Sequence, residues 1–176
     1  GSLLIFSKVE IVWDLAGNLI QDTFIDITND FPEDVLVQMY FINGDAPLFE
    51  NVGLCAPRFH PGWNWVDVEI ELTANQPYYW SAATGQTDLA NCVICAPVTP
   101  FTILDPAAAP CFGRPAPDGS ATRVLRGYII AYAVNNVGEE IRWNHLKGDA
   151  LIVNYQTGSA WEYNTYAFAA TDAVAN

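Results

Sequence analysis

Hydrophobic positions along this chain recur with a period of two almost from end to end, the spacing of half-buried β-strands. The clearest case is "WVDVEIELT" at 65–73, where Val66, Val68, Ile70 and Leu72 alternate with Asp67, Glu69 and Glu71. That alternation puts the apolar set on one face and the carboxylates on the other. The opening "LLIFSKVEIVW" at 3–13 predicts a strand with Ile5, Val9, Ile11 and Trp13 on one face. "DLAGN" then supplies a turn, and "LIQDTFIDIT" at 19–28 predicts a returning strand with Thr23, Ile25 and Ile27 together. "VLVQMYFI" at 35–42 is apolar on both faces. Further strands are predicted at 77–84, 101–104, 123–135, 139–144, 150–155 and 159–170. Only "HLKGDALIVN" leaves room for a helical turn.

Short strands with frequent turn signals, and neither repeats nor heptads, predict an all-β fold: one antiparallel β-sandwich domain over 1–176. Two long loops interrupt it, about 43–64 and 85–122. Structureless loops of that length need something to order them. All four cysteines fall in these loops, Cys55 in the first and Cys92, Cys95 and Cys111 in the second. Two disulfides are therefore expected, with Cys55 bonded to Cys92 or Cys95 and Cys111 to the other. A Cys92–Cys95 bond with Cys55–Cys111 ranks last, because it closes a tiny ring. The rival is zinc on the four cysteines, or on three of them with His60, but the second C-x-x-C pair is missing. Disulfides place the chain outside the cytoplasm, at the cell surface or in the medium, with the periplasm as the other oxidising compartment.

Two segments carry a resemblance. "LLIFSKVEIVWDLAGNLIQDTFIDITND" with "VLVQMYFING", and "RGYIIAYAVN" with "IRWNHLKGDALIVNYQTGSAWEYNTYAF", are similar to segments of exported bacterial proteins of unassigned function. The resemblance spans about half the chain. It implies a secreted, immunoglobulin-like sandwich and supplies no catalytic motif.

Charge narrows the partners. Seven Lys and Arg against twenty Asp and Glu give a net charge of −13, which repels nucleic acid and anionic membranes. No apolar run is long enough to span a membrane, and "GSLLIFSKVEIVW" lacks the basic start of a signal peptide. Both ends are expected to be held in the fold.

Candidate chemistry is sparse. There is no G-x-S-x-G, and the two histidines, His60 and His145, sit in loops without partner patterns. No catalytic residue is assigned. Asp14 with Asn18, or Asp45 with Glu50, resembles a calcium loop no more than an ordinary turn, and no metal site is assigned. The aromatic residues say more. Trp63, Trp65, Tyr78 and Tyr79 are candidate ligand-binding residues, able to stack on sugar rings, or else they lid the core.

Three functions follow. The first is a secreted or surface, non-enzymatic structural or interaction domain, in which Leu3, Leu4, Ile5 and Phe6 pair with a neighbouring sheet edge in an assembly of like copies or with another surface protein. The second is a carbohydrate-binding module using the aromatics. The third is a carboxylate-dependent glycoside hydrolase.

Overall fold

The computed structural model describes residues 1–84 and 111–171. Among them it is all-β and antiparallel, in twelve strands: β1 (Leu3–Asp14), β2 (Leu19–Asn29), β3 (Val35–Asn43), β4 (Leu48–Glu50), β5 (Arg58–His60), β6 (Trp65–Leu72), β7 (Pro77–Ser81), β8 (Arg114–Pro115), β9 (Thr122–Val134), β10 (Leu146–Asn154), β11 (Ser159–Asn164) and β12 (Tyr166–Phe168). Ten form one sheet in the order β11-β10-β2-β1-β9-β3-β6, with β12 on β1, β7 on β2 and β8 on β9. β4 and β5 make a separate hairpin inside the first long loop.

Partner exchange gives this sheet its depth. β1 pairs with β9 along one edge, from Leu3 opposite Tyr132 to Asp14 opposite Thr122. Its other edge pairs with β12 at Leu3–Ile5 and with β2 only at Val12 and Trp13. β2 in turn pairs with β10 throughout, and beyond its contact with β1 it takes β7. The two strands therefore part from their shared turn, opening two leaves, β12-β1-β9-β3-β6 and β7-β2-β10-β11. Thr23 bridges the parting, its hydroxyl donating to the Glu10 carbonyl and accepting from the Glu10 amide. The leaves share one core, with Leu4, Phe6, Val9 and Ile11 from β1, Met39 and Phe41 from β3, Ile25 and Ile27 from β2, and Trp80 from β7. Phe41 and Trp80 meet across it at 6.3 Å.

One residue sets how closely the leaves approach, and another ties β7 into its own leaf. Gly148 of β10 lies where a Cβ would come within 2.8 Å of the Phe6 ring and 2.9 Å of the Asp26 carbonyl, so only glycine fits. Asp22, 1% exposed, accepts from the Thr23 and Ala83 amides and the Ser81 hydroxyl, anchoring the end of β7 to β2.

Several expectations change. Leu4 and Phe6, not Ile5, join Val9, Ile11 and Trp13 in the core. The cause is a β-bulge at Ser7 and Lys8, which stand opposite the single residue Tyr128 and shift the parity of the strand. "HLKGDALIVN" is strand β10, and 139–144 contributes only an isolated bridge at Glu140. The expected strand at 101–104 lies outside the described residues. At the start of the chain Gly1 donates to the Leu146 carbonyl at 2.6 Å and the Ser2 hydroxyl accepts from the Trp143 and Asn144 amides.

Cys55 is bonded to Cys111, the pairing ranked last. Ring size was the wrong criterion: the β4–β5 hairpin packs against the segment entering β8, bringing the two Cα atoms to 5.5 Å, and Arg58 donates to the Cys111 carbonyl. Sulfurs in that bond are no longer thiolate ligands, so the four-cysteine zinc set does not assemble. Cys92 and Cys95 lie outside the described residues.

Candidate functional site

The residues that point away from the core on β6, β3, β9, β1 and β12 fall into registered rows. One row runs Asp67, Tyr40, Ile130, Ile5, Tyr166 across all five strands. The next runs Glu69, Gln38, Tyr132, Leu3, Phe168, and on the other side lies Trp65, Ile42, Tyr128. At ~4.8 Å between strands each five-residue row is about 19 Å long. β3 and β9 are apolar on both faces because their inner face fills the core while their outer face builds this pavement.

The rings of the pavement pack on one another. Tyr40 and Tyr132 lie 6.1 Å apart with their planes only 16° from parallel, and Trp65 stands edge-on to Tyr40 at 5.4 Å. Trp65 is 57% exposed, Tyr166 64% and Phe168 51%. A hydrogen bond with Tyr40, followed by burial, pushes the Tyr132 phenol up to about 12, so its hydroxyl stays protonated. Along the β6 margin Asp67, Glu69 and Glu71 are exposed, and Gln38 donates to Asp67 at 3.1 Å. Among the described residues no lysine or arginine pairs with these three carboxylates, and no row contains one. Flat rings beside hydroxyl, amide and carboxylate groups can stack on an apolar ligand face and accept hydrogen bonds at its rim.

The sequence candidates are not brought together as a set. Trp65 lies in the pavement. Trp63 is 67% exposed but precedes β6 in a turn at φ 52°, so the i, i+2 spacing does not give it the same face. Tyr78 is 5% exposed in the core beside Trp80, which corrects its reading as a surface residue. Tyr79 is exposed on the opposite leaf. Leu3 to Ile5 are paired on both edges within their own fold and Phe6 on its β9 edge, so Leu3 to Ile5 of the proposed assembly strand offer no free edge in this arrangement. Tyr40, Tyr132 and Phe168 were missed; for Tyr40 and Tyr132 the signal available was a strand with apolar residues on both faces.

Two other clusters bear on chemistry. Glu50 and His60 of the hairpin meet Arg123 of β9, which is 3% exposed. Arg123 donates two bonds of 2.9 Å to Glu50 and others to the Phe112 and Gly113 carbonyls, while His60 Nε2 lies 2.8 Å from Glu50. The Arg123 guanidinium holds Glu50 down at about 2, and burial pushes His60 below its ordinary value. A carboxylate so held is a poor proton donor near neutrality; the cluster clamps the hairpin and the disulfide to β9. Its outer rim is a cavity of ≈ 390 Å³ that includes Leu15, Val52 and Leu54.

On the other leaf Asp26 and Asp149 stand opposite each other on β2 and β10, in a groove of ≈ 290 Å³ walled by Phe24, Tyr79 and Leu151. Burial raises both carboxyls. The calcium candidates have other partners: Asp14 caps its own turn through Ala16 and Asn18, and Asp45 binds Arg126 at 2.9 Å. His145 lies 3.5 Å from Asp30, with its ring against Phe31.

No protein-family model, curated protein or solved structure matches the chain.

Proposed function

We propose that this chain is an extracytoplasmic, non-enzymatic interaction domain, an immunoglobulin-like sandwich in type, that binds polysaccharide across the outer face of its β12-β1-β9-β3-β6 leaf. The observation that carries the reading is the outward aromatic cluster, Tyr40 stacked parallel to Tyr132 with Trp65 edge-on beside it, set in an open face rimmed by hydrogen-bond acceptors. Rings turned outward from paired strands are held rigidly, so stacking loses little conformational entropy. The Cys55–Cys111 bond supports an oxidising compartment, and no helix among the described residues is long and apolar enough to cross a membrane. Affinity electrophoresis in gels containing soluble polysaccharides tests it: migration should be retarded for at least one of them, and Tyr40→Ala or Trp65→Ala should abolish the retardation. Retardation by none, or equal retardation of the variants, refutes the reading.

A second reading, a subunit of a fibre or surface assembly, is favoured by the outer edge of β11, which ends the sheet order. Sedimentation at high concentration tests that one, and a monomer refutes it. The hydrolase reading would use Asp26 and Asp149, and unchanged polysaccharide chain length after long incubation dismisses it.

A further inference from the structure

The acidic margin of the pavement points to a narrower ligand class, resting on the polysaccharide reading. Asp67 shares its row with Tyr40, and Glu69 shares its row with Gln38 and Tyr132. Alternate residues of a strand repeat at ~6.7 Å, so Asp67, Glu69 and Glu71 line the face for about 13 Å. Three carboxylates so placed repel one another, and among the described residues no cation relieves them. A neutral sugar does not neutralise that repulsion. An acidic sugar, carrying carboxylate or sulfate, adds to it, within a chain whose net charge is −13.

We infer that the face takes a polysaccharide bearing protonated amines, an amino-sugar polymer whose rings stack on Trp65, Tyr40 and Tyr132 while its ammonium groups meet Asp67, Glu69 and Glu71. The apolar face of each ring supplies contact area, and the charges supply selection. Exposed ion pairs are individually weak, so three of them give about tenfold discrimination. That discrimination falls with added salt, whereas stacking does not.

The test compares a soluble β-linked N-acetylglucosamine polymer with its partly de-N-acetylated form, at a pH where the free amines are protonated, by calorimetric titration of the intact protein. The de-N-acetylated polymer should bind about tenfold more tightly, by three exposed ion pairs. The variant Asp67→Asn, Glu69→Gln, Glu71→Gln should bring the two affinities together. A control with the same charge change elsewhere, Glu33→Gln, Asp118→Asn, Glu162→Gln, should keep them apart. Trp65→Ala should weaken both. Equal affinity of the wild type for both polymers, still sensitive to Trp65→Ala, overturns the amine inference and leaves the polysaccharide reading standing. A control variant that loses discrimination as fully as the margin variant shows diffuse attraction between polyion charges and also overturns the inference. Binding to neither of these polymers overturns it too, and the electrophoresis against other polysaccharides then decides the broader reading.

Discussion

Glu50→Gln isolates the buried charge cluster with almost no change in shape. In the native fold both carboxylate oxygens of Glu50 accept from Arg123 at 2.9 Å, and the second also contacts His60 at 2.8 Å. Glutamine keeps one acceptor and removes the charge, leaving a guanidinium that is 3% exposed without its counterion. Breaking one side of a buried pair costs about 3–5 kcal/mol, and the remaining carbonyl partners of Arg123 bring our expectation to roughly 2–3 kcal/mol at pH 7. The pH dependence gives a second, independent figure. Glu50 titrates at about 2 in the fold, against 4.5 as its ordinary value. A carboxyl whose folded pKa is depressed contributes stability that is complete above 4.5 and is lost as pH falls toward 2. That gap corresponds to about 3 kcal/mol before solvent screening at the cavity rim reduces it.

Urea unfolding followed by tryptophan fluorescence, with the disulfide intact, should show the variant destabilised at pH 7. The difference from wild type should shrink by at least half at pH 3. Comparison with the variant is needed because Asp22, Asp26 and Asp149, all raised by burial, add stability in the opposite direction as pH falls. Replacing both partners, Glu50→Leu with Arg123→Met, should recover much of the loss, since no buried charge is then orphaned. Equal midpoints for wild type and Glu50→Gln at pH 7 would refute the reasoning. So would a difference that stays constant down to pH 3.

Gly148→Ala should cost about 1–3 kcal/mol, since its Cβ would press on Phe6 and the Asp26 carbonyl, and an unchanged melting temperature would contradict the close approach of the leaves. Thr23→Val should lose about 1–3 kcal/mol in urea by leaving the Glu10 amide and carbonyl unpaired where β1 and β2 part; a silent substitution would show that water replaces the hydroxyl there. Non-reducing peptide mapping should recover a Cys55–Cys111 peptide, and opening that bond, which spans 56 residues, should cost about 4 kcal/mol by chain entropy. A Cys55 peptide linked instead to Cys92 or Cys95 would overturn the pairing. Trp65→Ala should change stability by less than about 0.5 kcal/mol, as an exposed substitution away from the core, and a larger loss in thermal melts would make Trp65 a structural residue.

What the sequence disclosed and what it hid divide along a physical line. Local alternation was legible wherever one face meets the core and the other meets water, as in β6, where Ile70 and Leu72 are buried and Asp67, Glu69 and Glu71 exposed. It failed where the backbone breaks its own period. The bulge at Ser7 and Lys8 reverses the facing of Leu4, Ile5 and Phe6, and no local rule distinguishes "FSK" in a regular strand from "FSK" in a bulge. Trp63, two residues before Trp65, does not share its face, because a positive φ at Trp63 takes it out of the strand. Contacts between distant segments were out of reach altogether. Glu50 and Arg123 are 73 residues apart, and nothing in "LFENV" or "ATRVL" selects one for the other. Cysteine pairing belongs to this class, because only the packed hairpin decides which sulfurs meet.

The strands apolar on both faces carry the remaining argument. A sheet layer with apolar residues on both sides is normally covered on both sides. Here the outer side of β3 and β9 mixes Ile42 and Ile130 with Tyr40, Gln38, Tyr128 and Tyr132, groups that tolerate water at one end and exclude it at the other. A covering layer of the same fold would call for aliphatic residues in those rows, and open solvent would call for charged ones. Tyrosines that present both a ring and a hydroxyl satisfy an intermediate condition, a face wet when free and partly dry when occupied. The carboxylates of β6 fit the same condition, since in the free protein they repel other copies and discourage pairing at that edge. On the proposed reading, their field would favour a ligand of opposite charge, so that one margin would both discourage self-pairing of the free face and select what covers it.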